Sequence, residues 1–145
     1  MYSAHDVAVY IINWCNEHRI SISNLKLQKL LYFVQGEASA RSPHRLIDDD
    51  FYAWQLGPVV PNVYSDYAMY SSSHIPRQIV EKNILESEML IIDTALAKYA
   101  RCSTWSLVEK THNQDPWKYN YTIFGDRSLI PYQSIKDYFS GGERR

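Results

Sequence analysis

Residues 23–36 read Ser-Asn-Leu-Lys-Leu-Gln-Lys-Leu-Leu-Tyr-Phe-Val-Gln-Gly, and this stretch decides the fold. Ser23 has the short polar side chain that caps a helix start. Leu27, Leu30, Leu31, Val34 and Ala38 then recur at helical spacing, which predicts a helix running to about Ala40 with that stripe in the core. Lys26, Lys29 and Phe33 lie on a neighbouring strip together with Gly36. Lys29 either sits on a solvated edge or reaches a carboxylate or carbonyl on another element. Tyr32 lies one turn from Gln28, so the two are placed to share a polar network. Gly36 costs about 1 kcal/mol relative to Ala inside a helix. Either the helix ends near it or another backbone approaches closely there.

Upstream, Ser3 and Asp6 have the spacing of an N-cap and capping box. Val7, Tyr10, Ile11 and Trp14 form one apolar stripe, so a helix is expected from Ser3 to His18. Downstream, Pro43 stops the long helix. Phe51 to Leu56 is aromatic-rich and bounded by turn signals, which suggests an extended segment. Gly57-Pro58 fixes a turn with Trp54 and Tyr64 on either side. Pro61 suits the first position of a helix holding Val63, Tyr64 and Tyr67. Ile75 to Ile84 reads as a loop with a short strand. Further helices are expected from Ser87 to near Arg101, after Ser103 to about His112, and from Pro131 to Phe139. Asn113 to Trp117 reads as a polar turn and Tyr119 to Leu129 as loop. The sum is a mainly α, compact bundle of five to six helices with one short β-hairpin. It forms one domain over 1–140, with 141–145 a frayed tail.

Composition narrows the function. In 145 residues, 15 basic and 16 acidic side chains nearly cancel, so nothing points to nucleic acid as a partner. The start lacks the basic-then-apolar build of a signal peptide, and no apolar run approaches the ~20 residues of a membrane span. A cytoplasmic, non-membrane protein is expected. Two cysteines far apart make no disulfide framework. Aromatic residues reach 14%, twelve of them Tyr. Such residues suit both a core and a surface that binds other proteins.

No enzyme constellation survives inspection. Cys15 and His18 are an isolated pair without the three or four ligands that zinc needs. Cys102, His112 and Asp115 contain the residue types of a nucleophile set, but Cys102 reads better as a small buried hydrophobe. Phosphate-binding and hydrolase motifs are missing. His112 falls at a helix end, where an imidazole caps carbonyls beside a turn that Trp117 pins to the core. No catalytic residue, cofactor or metal is therefore assigned. An enzyme or small-molecule sensor built on His112 is the alternative.

Three separated motifs together resemble the Panacea domain family (SocA-like or GepA-like). The first is Ser23 to Gly36, with Lys26, Leu27, Gln28, Lys29, Leu30, Leu31, Tyr32 and Phe33. The second is Phe51, Ala53 and Trp54 followed by Gly57-Pro58-Val59-Val60-Pro61-Asn62-Val63-Tyr64. The third is Thr111-His112 with Pro116-Trp117. The resemblance implies an antitoxin domain of a bacterial or phage toxin–antitoxin system, sometimes carried on a mobile element or prophage. Its partner is a cognate protein toxin, generally neutralised by direct contact. One member instead delivers its toxin to an ATP-dependent protease. A homodimer is compatible with the sequence. Lys26, Lys29, Phe33, Trp54, Tyr64 and Tyr67 are the candidate partner-binding residues, with Trp54, Tyr64 and Lys29 lining a groove. Leu27, Gln28, Leu30, Leu31, Tyr32, Gly57, Pro58, Pro61, Thr111, His112, Pro116 and Trp117 are the motif residues expected to hold the fold.

Overall fold

The computed structural model describes residues 1–79 and 83–141. Among them are seven α-helices and three short strands. The order is α1 (Ala4–Glu17), α2 (Asn24–Arg41), β1 (Phe51–Trp54), β2 (Gly57–Val59), α3 (Pro61–Asp66), α4 (Glu86–Tyr99), α5 (Thr104–His112), α6 (Asp115–Phe124), β3 (Ser128–Ile130) and α7 (Tyr132–Phe139). A single 3-10 turn, Ala68–Tyr70, follows α3. The protein is thus mainly α with a small antiparallel sheet in the order β2-β1-β3.

The three expected serine caps form. Ser3, Ser23 and Ser103 each accept from the backbone N–H three residues on, at 3.1, 3.3 and 3.1 Å. Each satisfies one of the donors that a helix start leaves free.

The long helix α2 runs through the centre. Helices α1, α3, α4, α5 and α7 and strand β2 all pack on it. Its leucine stripe is buried, but so are Asn24, Lys26, Gln28, Lys29, Gln35 and Ser39. The solvated-edge alternative for Lys29 is therefore excluded, because neighbours cover the helix on every side. Polar groups in such a place need partners. Gln35 supplies two bonds, donating to the Ile47 carbonyl and accepting from the Ile47 N–H, each at 3.0 Å. Glu37 accepts from Lys98 Nζ at 3.2 Å and from the Tyr99 hydroxyl at 3.1 Å. Phe33 stacks on Tyr99 at 4.2 Å, while Tyr32 meets Phe51 and Phe139 edge-on. Gly36 does not end the helix. The Phe139 side chain of α7 lies against it, so that a Cβ there would fall within about 2.5 Å of the ring.

Two expectations are corrected, the loop reading of 113–129 and the helix count, and two others fall partly outside the described residues. The stretch read as polar turn and loop, 113–129, contains α6 and β3. Pro116 sits in the first turn of α6, where its missing N–H costs nothing, and Gly125 at φ 94° closes the helix. This raises the helix count to seven. The segment read as loop with a short strand shows no strand at 75–79 and 83–84, and 80–82 lie outside the described residues. It is tied to the α1 side instead: Ile75 N–H donates to the Ile22 carbonyl at 2.8 Å, and Gln78 and Asn13 exchange two bonds. Of the expected tail, residues 142–145 lie outside the described residues. No helix among the described residues is long and apolar enough to cross a membrane.

Candidate functional site

The β1–β2 hairpin is short, and a bare hairpin of this size is marginal in water. Side chains from three helices hold its backbone. Lys29 Nζ of α2 donates to the Pro58 carbonyl at 2.7 Å. Beside it on α2, Gln28 Oε1 accepts from the Val60 N–H at 2.9 Å. Gln28 in turn donates to Asn24 Oδ1, and Asn24 donates to the Tyr64 carbonyl at 2.9 Å. From α5, His112 Nε2 bonds to the Gln55 carbonyl at 3.1 Å. From α6, Trp117 Nε1 donates to the Trp54 carbonyl at 2.7 Å. All three motifs therefore converge on one hairpin.

Helix spacing explains the reach. Asn24 and Gln28 stand one turn apart on the same side of α2. His112 and Trp117 flank the α5–α6 junction, and their rings stack at 4.0 Å. Because its acceptor is a carbonyl, His112 must carry its proton on Nε2. Burial lowers its pKa, the Gln55 bond raises it, and the nearby Lys29 amine lowers it. His112 thus bonds the hairpin and not its own helix end, which is a correction to the capping expectation. Tyr32 does not share a network with Gln28. Its hydroxyl donates to Gln114 Oε1 at 2.8 Å, tying α2 to the same junction.

Lys29 is wholly buried and takes the carbonyl of its two expected partners. Burial alone pulls its pKa down to about 7. Gly57 makes this packing possible. At φ 115° its missing Cβ leaves the space taken by Lys29 Cε and Thr111 Oγ1. Thr111 itself is buried and bonds back to the Val108 carbonyl.

Outside the hairpin lies a groove of about 800 Å³. Trp54, Gln55, Leu56 and Val59 supply one wall. The starts of α2 (Ser23, Asn24, Leu25) and α5 (Thr104, Trp105), with Tyr64, Ser71, Ser72, Asp126 and Arg127, complete it. Trp54 meets Tyr64 at 5.2 Å, and the Arg127 guanidinium lies 4.1 Å over the Trp54 ring. Trp105 is 63% exposed.

Of the six candidate partner-binding residues, Trp54 and Tyr64 line this groove. Lys29 does not, since it lies sealed beneath the hairpin. Phe33 and Tyr67 are core residues, and Lys26 is buried with its pKa lowered by burial. Burial pushes the Tyr67 hydroxyl up to about 12. Sequence reasoning missed Trp105, Leu56 and Arg127. For Trp105 a signal exists: it sits off the Leu107–Val108–Thr111 face of α5. Arg127 has no such signal. No cluster of His, Cys, Asp and Glu among the described residues could hold a metal.

Trp117→Phe keeps an aromatic ring to stack but removes the N–H. The Trp54 carbonyl then loses its buried donor, and the fold is expected to lose about 1–2 kcal/mol. Urea unfolding measures this; an unchanged midpoint would mean that the stack, not the bond, holds the junction.

Comparison with known proteins agrees with this geometry. The family described as "Antitoxin SocA-like, Panacea domain" matches residues 27–118, from the first turn of α2 into α6. Antitoxin SocA of Caulobacter vibrioides (strain NA1000 / CB15N) is 33% identical over 111 residues. That alignment covers 68% of this chain and 59% of the relative, so the chain spans about three fifths of that protein's length. No solved structure matches. The match spans the hairpin and nearly every side chain that fixes it, and the chain belongs to the SocA-like Panacea family of antitoxins.

Proposed function

We propose that this protein is a non-enzymatic antitoxin that binds its cognate toxin directly and covers a surface the toxin needs. The observation that carries this reading is the convergence of all three family motifs on one hairpin whose outer side walls an open groove. A fold that commits buried Lys29 and Gln28, with His112 and Trp117, to one short hairpin has that hairpin to present. Trp54 and Tyr64 are the residues we assign to contact. Large, partly exposed aromatic side chains of this kind concentrate binding energy at interfaces. Cytoplasmic action fits a toxin made in the same cell.

Co-expression tests the reading. The product of the gene beside this one is expressed alone and with the protein. We expect arrested growth in the first case, rescued growth in the second, and a stable complex on purification. A product that is harmless alone, or lethal despite the protein, overturns the reading. A toxin whose half-life drops sharply when the protein is present, with no stable complex, indicates delivery to an ATP-dependent protease in place of occlusion.

A further inference from the structure

We propose that the groove receives a carboxylate-bearing segment of the cognate toxin, its acidic group on Arg127 and its adjoining apolar side chain against Trp54 and Trp105. This rests on the toxin-binding reading above and adds the chemistry of the segment.

Charge is the first argument. The Arg127 side chain is 66% exposed and lies over Trp54 at 4.1 Å. Stacking fixes the guanidinium and leaves its edge free for a carboxylate, the fork geometry that arginine supplies and lysine does not. Its one ionic neighbour among the described residues, Asp126, stands 3.8 Å from Nε with its own side chain 53% exposed, a weak pairing. Asp126 is also the groove's only carboxylate among the described residues.

The rest of the wall has the same sign. Helices α2 and α5 both begin there, so two positive helix ends meet at one groove. Ser23 and Ser103 occupy the N–H groups of Lys26 and Ser106. That leaves the earlier N–H groups of each first turn for an acceptor from outside.

The apolar share comes from three exposed side chains. Trp105 is 63% exposed, and Leu56 and Tyr64 are each 39% exposed. They line the same groove as the Arg127 cation. An occupant must therefore carry an anion and a hydrophobe close together. A purely basic or purely apolar segment would leave one half of the groove unmatched.

The test uses purified toxin and the full chain. Affinities are measured for wild type, Arg127→Glu, Arg127→Lys and Trp105→Ala, with Met69→Ala as a control at a 79% exposed site off the groove. Circular dichroism confirms that each variant folds. We expect Arg127→Glu to weaken binding by about 100-fold, and Arg127→Lys and Trp105→Ala by about 10-fold. Met69→Ala should bind as wild type. Mutating one acidic toxin residue to Lys should restore binding to Arg127→Glu. If wild type binds but Arg127→Glu and Trp105→Ala bind equally well, the groove assignment is overturned and the antitoxin reading stands. If only Trp105→Ala weakens binding, the acidic segment is overturned. If wild type itself fails to bind, the toxin-binding reading falls.

Discussion

Gly57→Ala is expected to destabilise the fold by about 3–4 kcal/mol, more than most single substitutions. Two costs add. Gly57 holds φ 115°, where an L side chain is strained by about 1–3 kcal/mol. The new Cβ would also stand 2.7 Å from Lys29 Cε and 2.8 Å from Thr111 Oγ1. A lysine end usually swings away, but this one is fully buried and bonded to the Pro58 carbonyl. Overpacking of that kind costs about 1–3 kcal/mol. Gly125→Ala separates the two. Gly125 also has positive φ, at 94°, yet a Cβ added there would meet nothing within 4 Å. It should therefore lose only the backbone share, about 1–2 kcal/mol. Urea unfolding of both variants gives the comparison. Equal losses would mean that the hairpin yields and that the Lys29–Thr111 contact is not tight.

The parts of this fold that are legible in sequence have local causes. The starts of α1, α2 and α5 follow from Ser3, Ser23 and Ser103, and a hairpin here is legible from the aromatic run before Gly57-Pro58, although the turn itself falls at Gln55-Leu56 and Gly57-Pro58 opens β2. Helix α6 is not legible because its apolar residues point the wrong way. Pro116, Trp117 and Asn120 face inward, while Tyr119, Ile123 and Phe124 are exposed. A periodicity reading has no stripe to find there, and Pro116 reads as punctuation. Strand β3 is three residues long and exists by pairing with β1, far upstream. The site divides the same way. Trp54 ends β1 and Tyr64 lies in α3 just after β2, so both fall within the second motif and the short chain between them lets the rings meet. Trp105 and Arg127 reach the groove only when α5 and the α6–β3 connection close over it. The burial of Lys26 and Lys29 is tertiary too. An exposed and an enclosed α2 would share one sequence pattern, and only the surrounding elements decide between them.

Stability should also depend on pH through Lys29, and Lys29→Met isolates the effect. An unfolded lysine titrates near 10.4, whereas burial brings Lys29 down to about 7 in the folded protein. Between those values the unfolded chain binds a proton that the folded chain has released. Because the unfolded chain binds more protons than the folded one, stability rises with pH across that window and is lost as pH falls through it. Below about 7 both states are protonated, and the cost of burying the charge is present in full. From about pH 7.5 to about pH 9.5 the gain is roughly 2–3 kcal/mol. Other groups move with it and against it. Lys26, lowered by burial, acts in the same direction. Cys15, which burial raises to about 11, acts oppositely above the ordinary thiol range, because the folded state then keeps a proton the unfolded state loses. The difference between variant and wild type cancels both. Methionine fills a similar volume without charge but leaves the Pro58 carbonyl without its donor, a loss nearly independent of pH. The stability of Lys29→Met relative to wild type should therefore fall by about 2–3 kcal/mol as pH rises from about 7.5 to about 9.5. Denaturant unfolding at several pH values measures it. A difference that stays constant would show that Lys29 keeps its proton throughout, and that the interior beneath the hairpin stabilises a full positive charge.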